Sequence, residues 1–257
     1  MIGVFDSGIG GLSVLREIRR ELPRERLRYF ADTARMPYGE RDFAEILILA
    51  RRITQFLLAR GVKIVVVACN TATAAALYPL RQEFPQTLFV GMEPAIKPAA
   101  AKTRVGKIGV LATPGTLRGA PYAGVVERFA NGVKIFEQVC PTLATMIENG
   151  AADELRPALE KWLAPLRAAG VDQLVLACTH YPLIAPLISE VAGRSINLID
   201  PAPAIARQVK RLLAANHWSE SGGIEYYVSA RAEATAAKIR QIMGDATAEA
   251  VGFSDEI

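Results

Sequence analysis

Cysteine and histidine are scarce in this chain, and their scarcity excludes several kinds of protein. There are three cysteines and two histidines among 257 residues. No two cysteines stand in the C-x-x-C spacing of zinc ribbons and redox pairs, and three are too few for a disulfide framework. We therefore expect no metal site, no structural disulfides and a reducing compartment, the cytoplasm.

Long apolar runs and long basic runs are missing as well. No stretch approaches the ~18 apolar residues of a membrane-spanning helix, and an apolar strand follows Met1 directly, without the pattern of a signal peptide. The net charge is only +4, and glutamates interrupt the longest basic cluster, residues 16–28. This charge slightly favours anionic small molecules, and we expect neither membrane nor nucleic acid as a partner.

The most informative feature that is present is a segment that occurs twice. GVKIVVVACNT, residues 61–71, and GVDQLVLACTH, residues 170–180, share five residues without a gap, including the cysteine. A second pair, residues 2–7 and 108–113, lies at nearly the same offset. Apolar runs of this length predict buried strands. The repetition therefore predicts two related halves, each with one cysteine at the end of a strand.

Strand and helix patterns alternate along the chain, as in α/β proteins. Further strands are predicted at 27–31, 88–92, 133–139, 196–199 and 224–228. Helices are predicted at 12–21, 42–60, 73–84, 122–129, 201–215 and 230–243. Pro157 and Pro165 weaken the prediction of one helix over 153–169.

A glycine-rich turn, Asp6-Ser7-Gly8-Ile9-Gly10-Gly11, joins the first strand to the first helix. Free N–H groups at such a turn can bind an anion. The turn lacks the third glycine of the dinucleotide fingerprint and the lysine of a P-loop, so a carboxylate suits it better than a nucleotide. Two alternatives remain: the glycines only close the turn, and Asp6 only caps the helix.

Two thiols at matching strand ends suit one particular reaction, the inversion of a carbon centre without a cofactor. One group removes the proton from one face, and a group of similar strength supplies a proton to the other. Cys69 and Cys178 fit these roles, because neighbouring groups can lower a thiol pKa from its usual ~8.5 towards the working pH of a base. His180 lies two residues beyond Cys178, and Asp6 lies at a neighbouring strand turn in the first half, so either could hold a proton for the adjacent thiol.

Each of these residues also has a less specific interpretation. A lone buried cysteine is more often a small apolar side chain, and we place Cys140 in that class. His180 stands in a Cys-x-His pattern but has no further zinc ligands nearby. His217 follows a predicted helix end, where we expect it at the surface.

Four motifs, taken in order, resemble bacterial glutamate racemase. They are Phe5-Asp6-Ser7-Gly8-Ile9-Gly10-Gly11, Asp32-Thr33-Ala34-Arg35-Met36-Pro37-Tyr38-Gly39, Ala68-Cys69-Asn70-Thr71-Ala72 and Cys178-Thr179-His180-Tyr181-Pro182. The resemblance covers essentially the whole chain. It implies a cofactor-independent interconversion of L- and D-glutamate that supplies D-glutamate to peptidoglycan synthesis, and it allows a homodimer without requiring one.

The resemblance also implies an α/β fold of two pseudo-symmetric lobes, each a mostly parallel sheet flanked by helices. Residues 1–93 and 205–257 form the first lobe, which carries Asp6 and Cys69. Residues 94–204 form the second lobe, which carries Cys178 and His180. The active site is expected in the cleft between the lobes.

Residue roles follow from the same motifs. The resemblance implies that Cys69 is the base acting on D-glutamate and Cys178 the base acting on L-glutamate, assisted by Asp6 and His180. The implied substrate contacts are Ser7, Pro37, Tyr38, Gly39, Asn70, Thr71 and Thr179, with Thr113, Thr116 and Glu148 as weaker assignments. Residues 140–146 are more polar than is typical of the family at this point, so the role of Glu148 stays open.

Other functions remain as alternatives. A related racemase acting on aspartate differs by one methylene in its substrate, a difference worth only ~1–3 kcal/mol in a pocket. A non-catalytic two-lobed binder of anionic metabolites is a second alternative, although it leaves the paired cysteines unexplained. A third, an interaction with DNA gyrase known for some members, has no support in these residues.

Overall fold

A computed structural model describes residues 1–215, 222–246 and 248–252. The strands are β1 (Ile2–Asp6), β2 (Leu27–Ala31), β3 (Ile64–Val67), β4 (Leu88–Gly91), β5 (Lys107–Ala112), β6 (Lys134–Val139), β7 (Gln173–Ala177), β8 (Asn197–Ile199), β9 (Ile224–Val228) and β10 (Ala250–Gly252). The helices are α1 (Leu12–Glu21), α2 (Phe43–Leu58), α3 (Asn70–Glu83), α4 (Ile96–Lys102), α5 (Pro114–Arg118), α6 (Ala120–Phe129), α7 (Leu143–Asn149), α8 (Ala152–Ala169), α9 (Ala185–Ala192), α10 (Ala202–Ala215) and α11 (Ala232–Met243), with a short 3₁₀ turn at Tyr181–Ile184.

The strands form two sheets, and every strand pair is parallel. The first sheet has the order β10-β9-β2-β1-β3-β4, and the second has the order β6-β5-β7-β8. The inner order β2-β1-β3-β4 of the first sheet therefore recurs as β6-β5-β7-β8 in the second. Both repeated sequence pairs occupy equivalent strands, which confirms the predicted α/β fold with two related halves.

The first sheet is covered on both faces, as its apolar strands require. Side chains alternate between the two faces of a strand, and Val4 lies in one core cluster while Phe5 lies in the other. Strands β1, β3 and β7 are buried along their whole length. Such continuous burial is typical of parallel sheets between two helix layers.

Helix boundaries show where local patterns misled the prediction. The helix predicted from residue 73 begins at Asn70, because Cys69 caps it by accepting from the N–H of Ala72. Residues 152–169 form one helix despite Pro157 and Pro165. Tertiary packing outweighs the prolines, since Leu155, Leu159, Leu163 and Leu166 are buried against the second sheet.

The C-terminal segment returns to the first sheet. Strand β9 pairs with β2, and β10 extends the same edge. Helix α10 places Ile205 and Val209 in the core of this sheet, and α11 adds Ile239. We use first lobe and second lobe for each sheet with the helices on its faces, while the division at residues 94 and 205 stays a prediction.

None of the helices in the described ranges is both long enough and apolar enough to cross a membrane.

Candidate active site

The carboxyl ends of the inner strands of both sheets face one another, which is where α/β sheets bind ligands. Strand β1 ends at Asp6, Cys69 follows β3 and Cys178 follows β7. Both cysteines are free thiols, 6% and 7% exposed. They line one shared cavity between the lobes.

The cavity collects nearly all of the residues that the sequence predicted for the site. Its walls are Ser7, Met36, Pro37, Tyr38, Gly39, Cys69, Asn70, Thr71, Thr113, Thr116, Pro141, Ala144, Cys178, Thr179 and His180. Its volume is about 20 Å³, which is room for one or two water molecules. The lobes are therefore closed on each other, and the cavity between them is too small for an amino acid in this arrangement.

Cys69 is held as a protonated thiol in this closed arrangement. Its Sγ donates to Oγ of Ser7 at 3.8 Å and accepts from N of Ala72 at 3.4 Å. Burial raises the pKa of the Cys69 thiol to about 12, and the charge of Asp6 adds to the rise. The two hydrogen bonds do not offset burial, so the expectation of a lowered thiol pKa is wrong for Cys69 in this closed form.

Cys178 faces a cation. Nδ1 of His180 lies 3.9 Å from Sγ of Cys178, and Nε2 of His180 lies 2.7 Å from Oε2 of Glu148. Burial acts to lower the pKa of His180, but its bonds to Cys178 and Glu148 outweigh burial and raise that pKa well above 6.5. Burial acts to raise the pKa of Glu148, but the bond from His180 lowers it below 4.5. The two side chains therefore form a buried ion pair beside the Cys178 sulfur.

The glycine turn after β1 does hold a carboxylate, and that carboxylate belongs to the chain itself. The N–H of Ile9 donates to Oε2 of Glu148 at 3.0 Å. A Cβ added at Gly8 would lie 2.6 Å from the same oxygen, and one at Gly10 would lie 2.4 Å from Nδ1 of His180. These two glycines are needed because the second lobe approaches the turn so closely.

Asp6 connects the lobes and also bonds to the backbone of Gly11 at the start of α1. Its carboxylate accepts from N of Gly8 and from Oγ1 of Thr179, each at 3.1 Å. The N-cap of α1 is Gly11, which makes no side-chain bond. Burial raises the pKa of Asp6, and the charge of His180 partly opposes that rise.

Short polar side chains line the rest of the cavity. Oγ1 of Thr113 lies 2.9 Å from Oγ1 of Thr71, and this contact joins the two lobes. Oγ1 of Thr113 also lies 2.9 Å from Oγ1 of Thr116 in its own lobe. Nδ2 of Asn70 donates to O of Met92 at 2.9 Å. Oδ1 of Asn70 is buried without a partner among the described residues. A buried acceptor of this kind can accept a hydrogen bond from a donor group.

The sequence prediction missed Asp32, which supports the cavity wall. Its buried carboxylate accepts from the hydroxyl of Tyr38 at 2.5 Å and from Nη1 of Arg35 at 2.9 Å. Asp32 follows β2 next to Asp6, and its N–H donates to O of Asp6 at 2.9 Å. Its place directly after a strand was a signal that the sequence did contain.

Several other residues complete the account of the site. The apolar cavity residues Met36, Pro141 and Ala144 carried no signal in the sequence. Cys140 is fully buried in the core of the second lobe and does not line the cavity. His217 lies outside the described residues. Within the described ranges, no three His, Cys, Asp or Glu side chains are grouped to hold a metal ion.

The family Asp/Glu/Hydantoin racemase matches residues 2–209. The chain belongs to this family. It is 51% identical over 223 residues to a glutamate racemase of Pseudomonas aeruginosa, covering 86% of this chain and 84% of that protein.

Solved structures give the same relationship. A glutamate racemase of Bacillus anthracis is 31% identical with a TM-score of 0.89, covering 100% of this chain and 98% of its own. A glutamate racemase of Francisella tularensis in complex with D-glutamate is 26% identical with a TM-score of 0.86, over 100% of this chain and 98% of that one.

Proposed function

We propose that the protein is a glutamate racemase, which interconverts L- and D-glutamate without a cofactor and supplies D-glutamate for peptidoglycan synthesis. One observation carries the proposal: two thiols from equivalent strand ends, Cys69 and Cys178, line a single closed cavity. The likeness to glutamate racemases over most of the chain supports the choice of substrate.

The two thiols act on opposite faces of the substrate Cα. In the direction from L to D, Cys178 takes the α-proton and Cys69 donates its thiol proton to the other face. Cys178 then carries the proton and Cys69 is the thiolate, so the reverse reaction uses the same groups in exchanged roles. Because the pKa of Cys69 is raised to about 12, the resting site holds the proton donor that L-glutamate requires.

Asp6 and His180 assist the thiols on their own sides. His180 is protonated beside Cys178 and holds a proton that this thiol can exchange. Asp6 is a buried carboxyl whose raised pKa suits proton uptake on the Cys69 side. Glu148 orients His180 through the 2.7 Å contact and does not line the cavity.

Glutamate presents one ammonium and two carboxylates, and the cavity offers groups for both. The unpartnered Oδ1 of Asn70 can accept from the ammonium. Carboxylates accept from N–H and O–H donors, which we assign to the hydroxyls of Ser7, Thr71, Thr113, Thr116 and Thr179 and to backbone around Pro37, Tyr38 and Gly39.

The test is an assay of the purified protein with glutamate and no added cofactor, in which polarimetry monitors racemisation. Enantiomers have equal free energy, so L- and D-glutamate should each decay to an equimolar mixture. Unchanged optical rotation would overturn the proposal in favour of a non-catalytic binder. Faster racemisation of L-aspartate than of L-glutamate would favour the aspartate alternative.

We also propose lobe boundaries, a cellular location and an oligomeric state for the protein. We infer lobes of residues 1–93 with 205–257 and of residues 94–204, supported by the return of β9 and β10 to the first sheet. A cytoplasmic location follows from the proposed supply of D-glutamate to cell-wall precursors. A homodimer stays a prediction, which sedimentation at several protein concentrations checks.

A further inference from the structure

We propose that Lys238 is a positioning residue for the Cys178 half of the site, acting through Glu148. This inference rests on the proposed racemase function. Lys238 does not line the cavity and stood in none of the sequence motifs. It belongs to the C-terminal segment, which otherwise completes the first lobe.

Lys238 contacts the second lobe from a firmly anchored helix. Its neighbours Thr235, Ala236 and Ile239 on α11 are buried, and Ile239 lies in the core of the first lobe. The half-buried Lys238 extends from this helix, and its Nζ donates to the main-chain O of Glu148. The bond therefore crosses from the first lobe to a helix of the second.

The accepting carbonyl lies in the last turn of α7, where a cation is favourable. The last carbonyls of a helix lack partners within the helix, and the C-terminal end carries partial negative charge. Helix α7 has only seven residues, and the N–H of its C-cap, Gly150, bonds to the carbonyls of Ile147 and Met146. The carbonyl of Glu148, between them and the cap, accepts from Lys238 instead. A bond from Lys238 at this point holds the backbone of Glu148 against the first lobe.

Fixing that backbone also fixes the ion pair beside Cys178. The carboxylate of Glu148 bonds to N of Ile9 at 3.0 Å and to Nε2 of His180 at 2.7 Å, and His180 faces Cys178. A shift of the helix end would move this carboxylate relative to His180. A displacement of ~1 Å in a catalytic group can cost ~10²-fold in rate.

The charge of Lys238 acts in the same sense as its hydrogen bond. Burial raises the pKa of Glu148, the bonds from His180 and Ile9 lower it, and the positive charge of Lys238 adds to the lowering. Lys238 therefore favours the ionised carboxylate that the protonated His180 requires.

The chain offers a matched control for a purely structural role. Nζ of Lys107 donates to the main-chain O of Ala169 at 2.9 Å, at the last residue of α8. This is the same kind of contact, a lysine at a helix C-terminus, but it lies within the second lobe and away from the cavity. We expect loss of either bond to remove similar stability, and only the loss at Lys238 to affect the chemistry.

The experiment compares Lys238→Met, Lys238→Arg and Lys107→Met with the wild type, by racemisation kinetics and thermal unfolding. For Lys238→Met we expect kcat to fall about tenfold with KM changed less than about twofold, because substrate contacts are intact. Lys238→Arg keeps a charged donor and should recover most of kcat. Lys107→Met should lower the melting temperature about as much and keep the wild-type kcat.

Three results would overturn the inference: wild-type kcat in Lys238→Met, a folded Lys238→Arg no better than Lys238→Met, or an equal loss of kcat in Lys107→Met. If Lys238→Met does not fold, Lys238→Gln takes its place, since it keeps a donor without the charge and should lose kcat by several-fold. If the wild type itself does not racemise glutamate, the proposed function fails instead, which is a different outcome.

Discussion

Nε2 of His180 lies 2.7 Å from Oε2 of Glu148, and both side chains are almost fully shielded from solvent. The same oxygen accepts from N of Ile9 in the other lobe at 3.0 Å. One carboxylate therefore orients the histidine beside Cys178 and binds the turn that follows β1. Closure of the lobes and assembly of this half of the site depend on the same atom.

Replacing the carboxylate with an amide tests its role in the chemistry. In Glu148→Gln the side chain keeps its size but no longer stabilises a protonated His180, so we expect kcat to fall about 10- to 100-fold, with KM little changed. Steady-state kinetics in both directions checks this. A folded Glu148→Gln variant with wild-type kcat would contradict the role given to the pair.

The difference in stability between the wild type and Glu148→Gln should depend on pH. The pKa of Glu148 is lowered from 4.5 on folding, so its stabilisation is present above pH 4.5 and is lost as the pH falls through the folded value. The pKa of His180 is raised from 6.5, so its stabilisation is complete below pH 6.5 and is lost as the pH rises through the folded value. The free energy of unfolding should therefore differ most between wild type and Glu148→Gln from pH 4.5 to 6.5. Urea unfolding measures this, and a difference independent of pH would contradict the ion pair.

The close approach of the lobes at Gly10 predicts a sensitive position. A Cβ there would lie 2.4 Å from Nδ1 of His180 and 2.5 Å from Oγ1 of Thr179. Gly10→Ala should therefore displace His180 and lower kcat by about 100-fold or more, while the protein stays folded.

Gly124, in α6, is the matched control for Gly10, because a Cβ added there meets nothing within 4 Å. Gly124→Ala should keep full activity and gain about 0.5–1 kcal/mol from the helix. Equal activities of Gly10→Ala and Gly124→Ala would show that the lobes do not close as described.

The raised pKa of Cys69 is open to direct measurement. In a Cys140→Ser, Cys178→Ser background, Cys69 is the last thiol, and ionised tyrosines also absorb near 240 nm. The absorption near 240 nm that is lost when Cys69→Ser is added therefore reports the Cys69 thiolate. We expect almost no thiolate at pH 9.0, where a thiol with the usual pKa of ~8.5 would be more than half ionised. Adding Asp6→Asn should move ionisation to lower pH, because the Asp6 charge contributes to the rise. Half ionisation of Cys69 at pH 9.0 would contradict the burial described here.

The sequence was sufficient for the parts of the fold that local pattern determines. Apolar strands and the repeated cysteine segment predicted an α/β fold of two related halves, with Cys69 and Cys178 at strand ends, and the family resemblance added the parallel sheets. The start of α3 was predicted at residue 73, three positions late, since cysteine is not among the usual helix caps. Residues 32–39 were recognised as a family motif, but the buried Asp32 within it was given no role.

Contacts between segments that are distant in the chain could not be predicted from the sequence. Glu148 and Ile9 are 139 positions apart, and no periodicity or motif relates them. Glu148 was predicted only as a weaker substrate contact, although it orients His180. The bond from Lys238 to Glu148 likewise depends on how α11 returns across the cleft.

The cysteine variants should separate the two catalytic thiols from the third. Cys69→Ser and Cys178→Ser each replace an acid-base group with a much weaker acid, so we expect losses of at least about 100-fold in racemisation. Cys140→Ser keeps a donor towards O of Gln138 in the core and should keep most of the activity. A strong loss in a folded Cys140→Ser would mean that the wrong thiols were chosen.

The most direct measurement is racemisation of L-glutamate in deuterated water, with no added cofactor and with mass and optical rotation followed together. We predict that D-glutamate forms with one deuterium at Cα, and that either serine variant at Cys69 or Cys178 nearly abolishes its formation. Inversion that brings in no solvent deuterium, or that survives loss of either thiol, would contradict the account.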